Sequence, residues 1–316
     1  MPDPDNKTII IAGATGALGR RIAGYLLQKG ARVRAIVRKG CASKEIPILQ
    51  GLGATISEVD FTSISELTQA CTGGSCVVSA VAGLREVIVD LQTNLVKAAV
   101  EAGVTRFIPS DYCTDYTRLS YGTNRNLDLR REFSEQLVKE PIVVTSVMNG
   151  MFMDLLTGQA PIILFGIRRI ICYGDADQPL DFTTLDDTAK FTSEAALDPS
   201  TPRFLKVAGE VTSIRGLQKT ATEVSGRKYR LLRFGSLGVL KNMITITRFL
   251  MPKNDELYPA WQGMQYLHNM LSGKAKLEPL DNDRYPGIQW TSVREVLSKR
   301  LSTSTLPGSF RQFQAR

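Results

Sequence analysis

Three glycines, an adjacent arginine and lysine, and a group of tyrosines are the residues whose types and spacing could do chemistry in this chain. Gly13, Gly16 and Gly19 lie in "TIIIAGATGALGRRIAGYLLQKG", between an apolar β-branched run and an amphipathic run. Glycines there allow a tight turn, close approach of the backbone to a pyrophosphate, and close packing of helix on strand. The opening N–H groups of the helix, at Ala17, Leu18 and Gly19, and the positive end of its dipole would then face the phosphates. Spaced GxxGxxG and set between a strand and a helix, these glycines point to a dinucleotide site. Arg38 and Lys39 close the next apolar run, "RVRAIVRK", where an NAD site usually carries an acid for the ribose hydroxyls. An acid would repel a 2′-phosphate and a cation pair would hold it, so the expected cofactor is NADP(H). Asp60 in "EVDF" is placed to accept from the adenine amine, and Ser79, Ala80 and Val81 end a fourth strand that would line the cofactor.

These residues need a scaffold, and the periodicity predicts one. Short β-branched runs at 8–12, 32–37, 54–59, 76–80, 106–109 and 142–147 alternate with helical patterns near 18–29, 63–71, 85–102 and 127–139. That alternation means βαβ units and a Rossmann-type, doubly wound parallel sheet in an α/β fold. After about residue 150 the rhythm changes to mixed apolar patches and turns, then a helix in "DDTAKFTSEAALDP", a strand at 203–209, a helix at 213–226, and helical pieces rich in Met, Leu and aromatics. The expected division is a nucleotide-binding domain over 1–152, rejoined by a segment at about 181–209, and a smaller, mostly helical α+β substrate domain from 153–180 and 210–316.

Composition excludes several other classes. Apolar residues make up 43% and charged residues 22% of 316 residues, ordinary for a globular chain with a sizeable core. Cys41, Cys71, Cys76, Cys113 and Cys172 show no CxxC spacing and read as reduced thiols, which fits a cytoplasmic protein and no metal site. The opening "MPDPDNKT" does not read as a signal peptide. "PIILFGIRRII" is interrupted by Arg168 and Arg169, so no membrane span is expected. The net charge of +8 is scattered, without aromatic interleaving or a zinc-finger pattern, and fits anionic small ligands rather than nucleic acid.

The segments "GATGALGR", "VRAIVRK", "AGVTRFIPSDY", "VMNGMF", "DFTTLDDTAKFTSEAALDP" and "DNDRYPGIQWTSVREVL" resemble, in order, the NmrA-like and isoflavone-reductase-like branch of the atypical short-chain dehydrogenases. The resemblance implies NADP(H) contacts at Gly13, Thr15, Gly16, Gly19, Arg38 and Lys39. It places Pro109 and Ser110 beneath the nicotinamide, and Asn149, Gly150, Met151 and Phe152 at the edge between cofactor and substrate.

The chain departs from that family's reductases in one respect. They use a lysine at the start of the helix after the fifth strand as the acid–base group, and here no lysine occurs between Lys97 and Lys139. The candidates at the helix start are Arg125, Asp128 and Arg130. Arginine stays charged and cannot give up a proton, though it can stabilise an oxyanion. The tyrosines of "SDYCTDYTRLSYGTNR" are better acids, if a neighbouring guanidinium lowers a phenol. Tyr112, directly after Ser110 and Asp111, is the preferred one; Tyr121, four residues before Arg125, is the second. Asp111, Tyr112 and His268, the sole histidine, are candidates to line the substrate pocket.

Two readings follow. The first is an NADPH-dependent reductase of a small, largely apolar aromatic or heterocyclic carbonyl, enone or imine, acting as a tailoring enzyme in secondary metabolism. The alternative is a non-catalytic NADP-binding regulator that acts through a protein partner.

Overall fold

Buried β-branched runs become the strands of one sheet, and the chain returns to each through a helix. A computed structural model describes residues 7–304. The order is β1 (Thr8–Ala12), α1 (Ala17–Gln28), β2 (Arg32–Arg38), α2 (Glu45–Gly51), β3 (Thr55–Val59), α3 (Ile64–Cys71), β4 (Cys76–Ser79), α4 (Gln92–Glu101), β5 (Arg106–Ile108), α5 (Arg125–Leu137) and β6 (Val143–Val144). The six strands are all parallel, in the spatial order β3-β2-β1-β4-β5-β6. The order reverses between β1 and β4, and the crevice beyond their carboxyl ends is the place where such a sheet binds ligands.

Three predicted elements differ in detail. The helix expected over 85–102 opens as a π-helical turn, Glu86–Leu91, before α4. The strand expected over 142–147 breaks after Val144; β7 (Ser146–Met148) leaves the main sheet and pairs with β12 (Phe204–Lys206). Finally, α5 buries Asn126, Arg130 and Ser134 beside Phe133 and Leu137, so its inner face is partly polar rather than a purely apolar stripe.

Beyond β7 come β8 (Met151–Phe152), β9 (Ile163–Leu164), β10 (Arg169–Cys172), β11 (Leu180–Thr183), α6 (Leu185–Leu197), β12, β13 (Glu210–Thr212), α7 (Ile214–Ser225), β14 (Arg230–Arg233), α8 (Leu237–Leu250), α9 (Ala260–Leu271) and α10 (Val293–Ser304). α6 covers one face of the main sheet beside α1, sharing a core of Ile22, Leu26, Ile108, Val147, Phe191 and Leu205. The opposite face is closed by α3, α4 and α5 around Phe107, Leu95 and Phe133. A further core joins Met153, Ile170, Phe182, Leu217, Leu240 and Leu297. No described helix is long and apolar enough to cross a membrane, and the described residues contain no metal-ligating cluster. All five cysteines are free, and burial pushes Cys71 and Cys76 up to about 12, which suits inert thiols.

Candidate functional site

The turn after β1 is built for close approach. Gly13 has φ +83°, and a Cβ there would lie 2.6 Å from the Ala80 carbonyl oxygen at the end of β4. A Cβ on Gly19 would lie 2.2 Å from the Gly13 carbonyl oxygen, so only glycine lets α1 sit this close to the turn. Gly16 caps α1 and donates its N–H to Gly13 O at 3.0 Å, with no side chain to occupy the helix N-terminus. The first N–H groups of α1 lack intrahelical carbonyls, and Thr15, Ala17 and Leu18 surround them.

Around this cradle the strand ends present different chemistry. Arg38 and Lys39 are exposed at the end of β2, and Lys39 Nζ pairs with Glu66 Oε1 at 2.6 Å. Asp60 turns one carboxylate oxygen onto the N–H and hydroxyl of Thr62, at 2.8 and 2.7 Å, and these bonds hold its carboxyl below the usual range. Ser79 is completely buried, and its Oγ has no protein partner among the described residues. Ser110 is held on every side: its N–H donates to Gln92 Oε1 (3.0 Å), its hydroxyl to Val81 O (2.6 Å), and its carbonyl accepts from Arg130 Nε (3.1 Å). Ser110 and the preceding Pro109 therefore form a rigid shelf joining the ends of β4 and β5.

Gln92 is a part of this shelf that sequence reasoning missed. Its Nε2 donates to Ile88 O at 2.7 Å, within the π-helical turn, while its Oε1 holds the Ser110 N–H. A widened turn is the usual way a helix re-aims one side chain toward a site. The sequence carried no signal for it beyond a polar residue in an apolar stripe.

Asn149 and Gly150 follow β7. Both N–H groups donate to Cys113 O, at 3.0 and 3.1 Å, and Gly150 has φ +69° with Asp181 O only 2.3 Å from where its Cβ would be. Asn149 is completely buried, yet neither end of its carboxamide has a partner among the described residues. A buried amide that can donate and accept but does neither is costly unless a ligand or water completes it. Met151 and Phe152 continue as β8 against Phe182 and Thr183 of β11, half-buried.

The expected acid–base residues are rearranged. Tyr112 is buried in the core shared by α1 and α6 and faces Thr192, whose hydroxyl already donates to Thr188 O; burial raises the phenol instead of a guanidinium lowering it. Tyr121 stands half exposed on the outer surface, donating to Glu135 at 3.0 Å with Arg131 over its ring, and its phenol is also raised, by burial first and then by Glu135. The sequence expectation of a lowered phenol is corrected for both residues. Arg125 is committed to another segment: it donates to the carbonyls of Asn254, Glu256 and Leu257 and lies 4.8 Å from the Trp261 ring, tying the loop between α8 and α9 to α5. Asp128 accepts from the Gly122 N–H at 2.9 Å and serves the preceding loop.

Arg130 is the candidate that stays inward. It is buried, donates to Ser110 O and to Asn126 O, and has Tyr266, Cys113, Tyr258 and Asp111 in electrostatic reach, without a carboxylate at ion-pair distance among the described residues. Asp111 is buried beside it; one oxygen accepts from Tyr116 (2.8 Å) and Ser146 (2.7 Å), and the other has no partner among the described residues. His268 lies elsewhere on α9, half-buried, where burial and then Lys241 and Lys274 lower its pKa and leave it neutral. On α9 it is Tyr266 rather than His268 that faces Arg130. Asn126, one helical turn before Arg130, was also missed; buried, it donates to Leu257 O at 3.0 Å. Nothing in its local sequence sets it apart from a surface asparagine.

Contacts bring together the glycine turn, the end of β4 with Ser79, and the Pro109–Ser110 shelf, with Arg38 at the end of the adjacent β2; Asn149 follows β7 and is joined to Cys113 and Thr183. They fit a dinucleotide by their chemistry: close backbone approach, uncapped N–H groups, and, among the described residues, a guanidinium without a carboxylate partner and buried polar atoms without a hydrogen-bond partner.

Comparison with known proteins agrees with this geometry. Residues 5–258 match the model of the NmrA-like family. Pinoresinol reductase 1 of Arabidopsis thaliana is 29% identical over 211 residues, 62% of this chain and 67% of that one. The bifunctional pinoresinol-lariciresinol reductase of Linum album is 25% identical over 315 residues, 92% of this chain and 93% of that one. Among solved structures, AtPrR2 with NADP+ and (+)pinoresinol superposes with a TM-score of 0.80 at 21% identity, covering 94% of this chain and all of that one, which establishes a shared fold. With the family model spanning most of its length and the glycine turn at the sheet's switch point, this chain belongs to the NmrA-like family.

Proposed function

We propose that this protein binds NADPH across the β1–β4 crevice and reduces a small, largely apolar aromatic or heterocyclic compound, as a tailoring enzyme of secondary metabolism. The observation that carries the proposal is the glycine turn packed against the end of β4, with Arg38 at the end of the neighbouring β2 lacking a carboxylate partner among the described residues. The α1 N-terminus would take the pyrophosphate, Arg38 the 2′-phosphate, and Ser79, the Ser110 shelf and Asn149 the nicotinamide end. NADPH bound there supplies the hydride. That reductases of pinoresinol and lariciresinol are among the relatives supports an aromatic substrate.

The chain's own part in the chemistry is electrostatic. Arg130, buried and without a counter-ion among the described residues, supports negative charge developing on a substrate oxygen near Ser110. With the phenols of Tyr112, Tyr116 and Tyr266 all raised by burial, proton donation is weak at neutral pH, and carbonyl, enone or imine groups that tolerate charge stabilisation fit best. The same raised phenols and the lysine-free α5 favour the alternative, an NADP-sensing regulator working through a protein partner.

Titration with NADPH, NADP+, NADH and NAD+ separates these readings. Tight binding of both phosphorylated forms, followed by NADPH oxidation with phenolic ketones, enones or imines, is expected of the reductase. A strong preference for the oxidised forms without turnover supports the regulator, and no binding of any form rejects both.

A further inference from the structure

The chain carries an unneutralised basic patch far in sequence from the glycine cradle. It is formed by two short segments, "GIRR" (166–169) and "GRKYR" (226–230), which contain five cations and no acid. They meet because β10 and β14 run side by side, placing Arg169 directly opposite Arg230 and Cys172 opposite Arg233. Like charges facing each other across strands destabilise a sheet. Arg168 adds a left-handed backbone, φ +51°, unusual for a side chain of this size. Tyr229, buried between, feels Arg168, Arg227 and Arg300 together. None of the five makes an ion pair with a described carboxylate; the neighbouring Glu223 is taken by Arg294, and Asp177 by Arg215 at 2.7 Å.

The second observation is an open edge. β14 is the outermost strand of the three-stranded sheet β14-β10-β9. Arg230 N donates to Arg168 O and Phe234 N to Cys172 O, so alternate residues turn their backbone toward β10. The N–H and C=O groups of Leu231 and Arg233 therefore face outward, as on any unpaired edge. Cations on an edge strand are one device that keeps another copy from pairing with it. That explains Arg230 and Arg233, but not Arg169 on an interior strand, nor Arg168, Arg227 and Lys228 in the turns.

We infer that the β14 edge is a docking site for an extended acidic peptide segment of another protein, which adds as a fourth strand. Backbone groups of Leu231 and Arg233 pair with the peptide, and its acidic side chains neutralise Arg230 and Arg169 on one face and reach Arg227 and Lys228 at the end. A nucleic acid fits less well, since the one aromatic residue of the two segments, Tyr229, is buried and no helix is presented. An anionic membrane would use the charges but leave the open backbone unpaired, and only Ile167 and Phe234, at opposite ends of the paired strands, are exposed apolar side chains beside the patch.

The test is fluorescence anisotropy with the full chain and a labelled peptide of alternating glutamate and valine, beside the same peptide N-methylated at alternate residues. The expected result is binding that weakens at least about tenfold with Arg169→Glu/Arg230→Glu, and by a similar factor with the N-methylated peptide. Circular dichroism melting checks that the variant is folded; if it is not, Arg227→Ala/Lys228→Ala on the exposed turn replaces it and should weaken binding severalfold. Equal binding of the N-methylated peptide would mean charge attraction without strand addition and overturns the inference. So would unchanged binding by the folded variant, or tighter binding to phosphatidylserine vesicles or duplex DNA than to the peptide.

Discussion

Lys39 Nζ sits 2.6 Å from Glu66 Oε1, while the adjacent Arg38 has no carboxylate partner among the described residues. Of two neighbouring cations at the end of β2, one is therefore committed to the protein, and the other is the proposed ligand of a 2′-phosphate. Arg38→Ala is expected to weaken NADPH binding about tenfold or more and leave NADH unchanged, whereas Lys39→Ala should change NADPH affinity only severalfold. Nicotinamide fluorescence titration reads both. Equal losses from the two variants would contradict the assignment.

Asn149 offers a second check, because its buried amide is unpartnered in the protein alone. Removing an unsatisfied buried polar group costs little, since about 1–3 kcal/mol of desolvation penalty leaves with it. Asn149→Ala should thus melt close to the wild type without ligand but gain less melting temperature when NADPH is added. A large loss of stability without ligand, with an undiminished NADPH shift, would make Asn149 structural.

Tyr112→Phe should leave turnover within about twofold of the wild type, in contrast to what its place in the sequence suggests. The phenol is buried toward Thr192 and raised by burial, so it neither reaches a substrate nor donates readily. A loss of kcat with unchanged KM would restore it to the mechanism.

Asp111 links pH to stability. Burial raises its carboxyl above the ordinary range, although Ser146, Tyr116, Arg130 and Arg203 pull the other way. The folded protein thus holds this proton more tightly than the unfolded chain. Its contribution is complete below the unfolded carboxyl value of about 4 and is lost as pH rises through the folded value. Asp111→Asn keeps an acceptor for Tyr116 and Ser146 and removes the titration. Its melting temperature should fall less than that of the wild type as pH is raised from about 4 toward neutrality. Parallel curves for the two proteins would reject the shift.

Much of the parallel sheet and the glycine turn was legible because their determinants are local. A glycine is required wherever a Cβ would strike a carbonyl, as at Gly13 and Gly19, and spacing along one turn records that requirement. The strand and helix periods around them record which faces are buried, and hence the parallel sheet and its switch point. The substrate end was less legible. Tyr112, Tyr121 and Arg125 were plausible by type and position, but whether a loop side chain points into a cleft depends on what packs against it.

The sequence alone therefore determined the α/β fold, the glycine turn after β1 and the position of the cation pair, since each follows from local geometry and the periodicity of burial. Only the tertiary structure decided that Glu66 neutralises Lys39 and not Arg38, that Gln92 reaches Ser110 through a π-helical turn, that Arg125 belongs to the loop before α9, and that Arg169 faces Arg230. The physical reason is common to all four. Each is a long-range pairing between segments distant in the chain, set by how helices and strands pack, and no local propensity encodes the partner.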